Sequence, residues 1–224
     1  MAPNSPFVSS VILNNINKLA ESAELNKYGA RFKYSKFLKV IDQSHESVTS
    51  NITTIQMRRD LRLAIDQFAE YAIDFGNQFH ISSMEGFNIR SSGFRVLDVI
   101  PDVYLYDVPN TDKKTGTINL FSLDSPGSTT PTIQRQNIGV VDYIKGRITL
   151  NPINITAGKT KDNQEIMEIS TIPESNDVIG LQDLYLQLDT SNVEMVVDEI
   201  ASGADPSGST YTVTPSYNAQ KIVR

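Results

Sequence analysis

The stretch GVVDYIKGRITL, residues 139–150, indicates the fold class more clearly than any other part of the chain. Apolar residues alternate with other residues in both of its halves, and the alternating positions are Val141, Tyr143, Ile148 and Leu150. A period of two residues is typical of a strand with one buried face. Lys145-Gly146 can form a tight connection between the halves, because glycine adopts positive φ without steric cost. We therefore predict an antiparallel β-hairpin.

The sequence that follows this hairpin predicts an irregularity in its second strand. In NPINI, residues 151–155, the apolar positions change parity to Ile153 and Ile155. Pro152 has no N–H to donate to a strand ladder. The two features predict a β-bulge or a sheet edge at Pro152.

Short stretches rich in β-branched and aromatic residues recur after Ser47, separated by turn-forming residues. This pattern predicts strands. They lie within residues 51–59, 70–79, 94–108, 116–123, 138–144, 146–150 and 165–172. Two segments rich in Ser, Thr, Pro and Gly, residues 122–137 and 201–218, predict long exposed loops. Residues 184–200 fit both a helix and strands; β-branched content favours two strands, and the choice stays open for residues 192–201.

The amino-terminal region has a different periodicity. Residues 5–29 show the three-and-four spacing of an amphipathic helix, with Gly29 just beyond its end. A shorter helix is predicted within residues 35–44, and its inward side chains are Phe37, Leu38, Val40 and Ile41. The apolar stripe of the first helix includes Phe7, Val11 and Ile16. This stripe fits packing inside its own domain or pairing with a partner chain, and both alternatives stay open.

These elements predict an α+β fold, with amino-terminal helices followed by mainly antiparallel β structure with long loops. We divide the chain into three regions. Residues 1–46 form a helical segment that is a candidate contact for a partner or a second copy. Residues 47–200 form one or more mainly β domains, and residues 201–224 form a loop and carboxy-terminal extension.

Charge and composition exclude several classes of partner. The 224 residues carry 20 Lys+Arg and 26 Asp+Glu, a formal net charge of −6, so a broad positive field for nucleic acid or an anionic membrane is missing. The densest basic run, residues 58–62, fits a solvated strand end better than a phosphate patch, because no aromatic residue is interleaved. The chain contains no cysteine, which excludes disulfides and cysteine zinc sites.

No apolar run approaches the roughly 18 residues of a membrane span, and we expect no membrane partner. The first ten residues lack the pattern of a signal peptide. Met1 is either a native start or the end of a cut made inside a longer protein.

Gly158-Lys159-Thr160 has the letters that end a phosphate-binding loop. Such a loop also needs a glycine five residues earlier and a helix after it. Position 153 is Ile, and the residues that follow are turn formers and then β-branched residues. We therefore predict a surface loop between two strands, with Gly158 and Asp162-Asn163 as its turn residues.

Candidate catalytic residues do not form a recognisable set. HESVT, residues 45–49, begins like the zinc motif His-Glu-x-x-His, but Thr49 replaces the second histidine. We expect His45 and His80 to be ordinary hydrogen-bonded or exposed histidines. A zinc hydrolase that uses both histidines is an alternative hypothesis for the function. Ser91-Ser92-Gly93 lacks the preceding glycine of a nucleophile elbow. We assign no catalytic, cofactor-binding or metal-binding residue and predict that the protein is not an enzyme and uses no cofactor.

Five stretches, in their order and spacing, resemble baseplate J-like and T-even phage baseplate wedge proteins. The similarity runs from about Tyr28 to about Ile200 and corresponds to a carboxy-terminal part of the family pattern. The stretches are YGARFKYSKFLKVIDQSHESVTSNITTIQMRRDL (28–61), DFGNQF (74–79), IRSSGF (89–94), GVVDYIKGRITL (139–150) and PESNDVIGLQDLYLQLD (173–189).

The resemblance implies a structural component of a contractile phage tail, with no catalytic residue. It implies self-association as a homodimer and in a ring, contacts with other baseplate wedge proteins, and rearrangement when the tail contracts. It also implies a location in the virion baseplate after synthesis in the host cytoplasm. The alternative from the residues themselves is a receptor- or glycan-binding β module of a tail, if exposed aromatics among Tyr104, Tyr106, Tyr211 and Tyr217 share a sheet face.

Overall fold

The computed structural model describes residues 5–125, 130–181, 186–190, 193 and 195. In these residues the helices are α1 (Ser5–Ala20) and α2 (Tyr34–Asp42). The strands are β1 (Arg31–Phe32), β2 (Met57–Arg62), β3 (Phe68–Asp74), β4 (Ile89–Ser91), β5 (Arg95–Val96), β6 (Val103–Pro109), β7 (Thr115–Leu123), β8 (Pro131–Asp142), β9 (Arg147–Ala157), β10 (Lys159–Lys161), β11 (Gln164–Thr171) and β12 (Val178–Ile179). All strand pairs are antiparallel, which confirms the predicted α+β class.

The largest sheet has the strand order β3-β9-β8-β7-β6, and β5 also pairs with β9. Alternate side chains point to opposite faces of each strand, so register decides which residues share a face. On the inner face the side chains are buried: Tyr71, Ile73, Leu105, Ile118, Leu120, Val141, Ile148 and Leu150. The outer face includes Tyr104, Tyr106, Asn119 and Phe121.

The predicted hairpin at residues 139–150 is the β8–β9 pair. Gly139 lies opposite Leu150 and Val141 opposite Ile148, as the alternation predicts. The connection is longer than the predicted Lys145-Gly146 turn: four residues, 143–146, separate the strands, and Gly146 takes φ +66°. Tyr143 belongs to this turn and not to a strand, because its N–H donates to the carbonyl of Lys114 and its carbonyl accepts from Phe79.

The irregularity predicted at Pro152 is present. Ala69 lies opposite Ile153 and Tyr71 opposite Leu150, so β9 carries one residue more than β3 over this interval. The extra residue restores the inward direction of Ile153 and Ile155, which are both buried. Before the bulge, one edge of β9 pairs with β8. After the bulge, the same edge of β9 pairs with β5.

A second sheet has the order β10-β11-β2, with β4 pairing with the other end of β11. Met167 and Ile169 of β11 and Ile89 of β4 are fully buried. A two-stranded sheet joins β1 to β12, with Phe32 opposite Val178. The predictions did not include β1 or β12, because a two-residue strand has no periodicity to detect.

The first helix is shorter than predicted. Instead of continuing towards Gly29, α1 ends at Ala20. Ser22 N–H bonds the carbonyl three residues back, at Leu19, instead of the carbonyl four residues back, so the i to i−4 ladder stops there. The predicted second helix is confirmed, with Phe37 and Ile41 buried.

Two predicted β segments and one predicted loop differ from the observed elements. Residues 51–56 are not in a strand, and Ile52 is 93% exposed, so burial does not favour a ladder there. Residues 94–108 divide into β5 and β6, because Asp98 takes φ +66° and Pro101 cannot donate. Residues 131–137, predicted as loop, belong to β8 and pair with the end of β7.

The chain divides into two compact units. Residues 5–26 and 35–51 belong to the first, and residues 27–34 and 52–181 to the second. The predicted boundary after residue 46 stays a prediction. The prediction for residues 192–201 and the predicted loop at 201–218 lie outside the described residues, apart from positions 193 and 195. Neither helix described has the length and hydropathy to cross a membrane.

Candidate functional site

The polar groups of Gly158-Lys159-Thr160 are bonded to acidic side chains of the neighbouring strand. Gly158 N–H donates to Glu165 Oε2 at 2.7 Å, and Thr160 Oγ1 donates to Glu165 Oε1 at 2.9 Å. Lys159 Nζ lies 2.9 Å from both carboxylate oxygens of Glu168. Carboxylates therefore occupy the donors that a phosphate would need.

The backbone around these residues is a hairpin between β10 and β11. Its turn is Asp162-Asn163, with φ +50° and +59°, as expected for a two-residue hairpin connection. Gly158 has a different role from the predicted one, because it joins β9 to β10 where space is restricted. A Cβ at this position would lie 2.4 Å from Leu63 Cδ1 and 2.6 Å from the carbonyl oxygen of Ile166.

The two histidines lie in different compact units. His80 Nδ1 is 2.7 Å from Glu174 Oε2. His45 Nδ1 accepts from the N–H of Ser47 at 3.1 Å, and its ring meets Phe7 edge to face. Among the residues that the structure describes, no group of three His, Cys, Asp or Glu side chains has the arrangement of a metal site.

The basic run at residues 58–62 lies in β2, and two of its three arginines are bonded to neighbouring groups. Arg58 Nε is 3.2 Å from Asp60, and the Arg59 guanidinium donates to the carbonyl of Asp74. Lys161 Nζ lies 2.5 Å from Asp60 Oδ2. This arrangement is an ion-paired strand surface, and it offers no concentrated positive charge.

A buried polar cluster centres on Asp107, which is 0% exposed. Its Oδ2 accepts from the Tyr143 hydroxyl at 2.5 Å and from Asn88 Nδ2 at 2.8 Å, and its Oδ1 accepts from the N–H of Ile89 at 2.7 Å. Burial, together with the neighbouring charge of Asp107, raises the pKa of the Tyr143 hydroxyl far above its usual range. The cluster is enclosed and fully bonded, so it stabilises the fold and does not face a ligand.

The outer face of the largest sheet contains an open depression with a volume of about 450 Å³. We call it the aromatic depression and define it by Glu85, Phe87, Tyr106, Ile133, Gln136 and Asn137. Phe87 stacks on Tyr106 with ring centroids 4.8 Å apart and an angle of 17° between the ring planes. Phe121 meets both rings edge to face.

Two residues in left-handed backbone conformations border the aromatic depression. Phe87 has φ +64°, which is costly for a bulky side chain, and Asn137 has φ +55°. Asn137 lies in a bulge of β8, since Ile118 pairs with Gly139 but Leu120 pairs with Arg135. The N–H of Asn137 donates to Asn119 Oδ1 at 2.8 Å. Strained residues and bulges both concentrate at binding sites.

The sequence identified this face only in part. Tyr104 and Tyr106 do share a face, but Tyr106 is buried beneath Phe87 instead of exposed, and Tyr211 and Tyr217 lie outside the described residues. Phe87 and the bulge at Asn137 were missed. The dipeptide Gly86-Phe87 and the Gln-Asn pair at 136–137 are the only sequence signals for them, and both are common.

The surface of α1 retains little of its apolar stripe. Val8, Ile12 and Ile16 are buried within the described chain, whereas Phe7 is 52% exposed and Val11 is half-buried. Asn15 donates to Ser44 Oγ at 3.1 Å and ties α1 to the residues after α2.

Comparison with known protein families gives a match to the amino-terminal quarter of the chain. Residues 2–60 match the family described as "Baseplate structural protein gp6, C-terminal domain III". The matched region contains α1, β1, α2 and the first part of β2. No curated protein matches the chain. The family match supports a structural protein of a phage baseplate.

Proposed function

We propose that the chain is a wedge component of a contractile phage tail baseplate. It assembles through self-association, as a homodimer and in a ring, and through contacts with neighbouring wedge proteins, and it rearranges when the tail contracts. The observation that carries this proposal is the match of residues 2–60 to a baseplate structural family. The order of motifs between Tyr28 and Ile200 gives further support.

The side-chain chemistry fits a scaffold better than an enzyme. Lys159 and Thr160 are bonded to carboxylates of β11, and the Asp107 cluster is enclosed. Antiparallel sheets with satisfied polar groups supply rigid surfaces, and interface affinity usually resides in a few buried anchors. We infer that the protein acts by binding partners and not by catalysis.

We further propose that the helical segment, residues 1–46, is the main contact with partner chains. Phe7 is the largest apolar side chain of α1 left half-exposed, and it lies against His45 at the end of the same segment. Residues 47–200 then form the β scaffold, and residues 201–224 form the carboxy-terminal extension. In this account the chain resides in the virion baseplate after synthesis in the host cytoplasm.

Chemical cross-linking with mass spectrometry on assembled tails tests the proposed contacts. Lys18, Lys36 and Lys39 lie in the proposed contact segment and should cross-link to other baseplate proteins or to a second copy. Lys159 and Lys161, on β10, are the internal comparison. Cross-links to partners from β10 alone would contradict the assignment of the helical segment.

Light scattering after size exclusion tests self-association of this chain. We expect a dimer at high micromolar concentration and a shift towards monomer in Phe7→Ser, with Phe68→Ser as the control because Phe68 is an exposed phenylalanine of β3. A strict monomer at that concentration would contradict self-association while leaving contacts with other proteins possible.

A further inference from the structure

We propose that the aromatic depression is a binding site for a neutral saccharide ring. This inference goes beyond the assembly role and does not depend on it. The aromatic depression has a volume of about 450 Å³, which lies within the roughly 300–1,000 Å³ typical of small-molecule sites. Sugar rings present C–H groups on one face and hydroxyl groups at the edge, so they need an aromatic surface surrounded by hydrogen-bonding groups.

The aromatic surface is provided by Phe87. This ring is 40% exposed although it stacks on Tyr106, so one part of it remains available to a ligand. Tyr106 stacks against one face of this ring, and Phe121 meets it edge to face. A ring fixed in this way loses little conformational entropy when a ligand stacks on it.

The hydrogen-bonding groups come from the border of the depression. Glu85, Gln136 and Asn137 are exposed, and within the described part of the chain their side chains have no hydrogen-bond partner. Together they offer two amide groups, which donate and accept, and one carboxylate, which accepts. This combination complements a ring of hydroxyl groups.

Charge selects the class of saccharide. The lining contains no Lys, Arg or His, and Glu85 carries its one carboxylate among the described residues. An anionic sugar or a phosphate would be repelled by Glu85 and would find no cation to pair with. A neutral sugar meets neither difficulty.

A peptide strand is less suitable for the same place, because the neighbouring edge of β6 is already occupied. Val103 exchanges hydrogen bonds with Phe94, Leu105 N–H donates to Ser91 Oγ, and the Asp107 carbonyl accepts from Phe87 N–H. Strand addition needs free backbone groups along an edge. The segment 86–94 therefore closes this edge and leaves the side chains of the outer face as the binding surface.

The variants Phe87→Gly and Asn137→Gly remove the binding groups and keep the backbone. Both positions have positive φ, which glycine adopts without strain, so the backbone should be kept in each variant, and Phe87→Gly should lose some stability because its stack on Tyr106 is removed. Phe68→Ala is the matched control, since Phe68 is a 71% exposed phenylalanine on β3, at the opposite edge of the same sheet. Urea unfolding of all three variants checks the fold.

Saturation-transfer NMR with glucose, N-acetylglucosamine and cellobiose as neutral probes measures binding. N-acetylneuraminic acid serves as the anionic probe and tetraproline as the peptide probe. We expect transfer to at least one neutral sugar in the wild type and in Phe68→Ala. In Phe87→Gly the affinity should fall about tenfold, as expected for the loss of one aromatic contact. Asn137→Gly should also weaken binding.

Three results would overturn the proposal. The first is no transfer to any neutral sugar with the folded wild type. The second is equal binding in Phe87→Gly and the wild type, which would place the sugar elsewhere. The third is binding of N-acetylneuraminic acid or tetraproline in preference to every neutral sugar.

Discussion

The carboxyl group of Asp107 accepts three hydrogen bonds from two separate parts of the chain: one from the hydroxyl of Tyr143, and two from the side chain of Asn88 and the N–H of Ile89. All three partners contact a group with no access to water. A buried polar group without its partner destabilises a fold by more than a formed bond stabilises it. This residue therefore joins β6 to β4 and to the turn of the β8–β9 hairpin.

Replacing Tyr143 by Phe tests this arrangement. The substitution removes one donor to Asp107 without changing the ring, and we expect a loss of about 1–3 kcal/mol in the free energy of unfolding. Urea denaturation provides the measurement. Tyr104→Phe is the control, because Tyr104 is half-buried and its hydroxyl has no hydrogen-bond partner in the described structure, and it should change stability by less than about 0.5 kcal/mol. Equal losses in the two variants would contradict the role given to Asp107.

Alanine substitutions at the adjacent residues Gly158 and Lys159 should differ in their effect on the stability of the fold. Lys159 pairs with Glu168 at the surface, so Lys159→Ala should cost less than about 1 kcal/mol and leave assembly unchanged. Gly158→Ala places a methyl group against Leu63 and the Ile166 carbonyl and should cost about 1–3 kcal/mol. Thermal unfolding of the two variants and the wild type measures these losses of stability. A measurable ATP or GTP affinity that Lys159→Ala abolishes would show that Gly158-Lys159-Thr160 is a nucleotide site after all.

At the scale of elements, the turn of the β8–β9 hairpin is fixed to the sheet by a hydroxyl that must keep its proton. The pKa of Tyr143 in the folded protein is raised above its unfolded value, which is about 10. Its stabilising contribution is therefore fully present below pH 10. Above about pH 10 the hydroxyl ionises only in the unfolded chain, so this contribution decreases as pH rises.

The stability difference between wild type and Tyr143→Phe should consequently depend on pH in one direction. Between pH 7 and 9 it should be constant, and above pH 10 the advantage of the wild type should fall by about 1.4 kcal/mol per pH unit. Urea unfolding of both proteins at pH 8 and pH 11 measures it. A difference that is unchanged at pH 11 would mean that the Tyr143 pKa is not raised.

The elements also show which features a sequence determines locally. Alternation predicted the β8–β9 pair, and the parity change at Pro152 predicted its bulge, because one buried face imposes a period of two on each strand. The predicted end of α1 was wrong, because the apolar spacing continues to Ala23 while the helix ends at Ala20. The strand at residues 131–137 was missed, because its ladder depends on β7 and not on its own composition.

At the scale of the whole molecule, the candidate binding site could not be predicted from the sequence. Phe87 is held at φ +64° by its N–H bond to Asp107 and by its stack on Tyr106, which are contacts across about twenty residues. The bulge at Asn137 arises from the pairing of β8 with β7. Both features come from tertiary structure, whereas the baseplate resemblance rested on the order of local motifs and agrees with the family match over residues 2–60.

We propose that this chain is a structural part of a phage tail baseplate. Electron cryomicroscopy of purified virions that carry an epitope tag on the chain, decorated with the matching antibody fragment, tests it most directly. We expect additional density at the baseplate in several symmetry-related copies. Absence of the chain from purified virions, or density on the capsid or the tail tube alone, would contradict it.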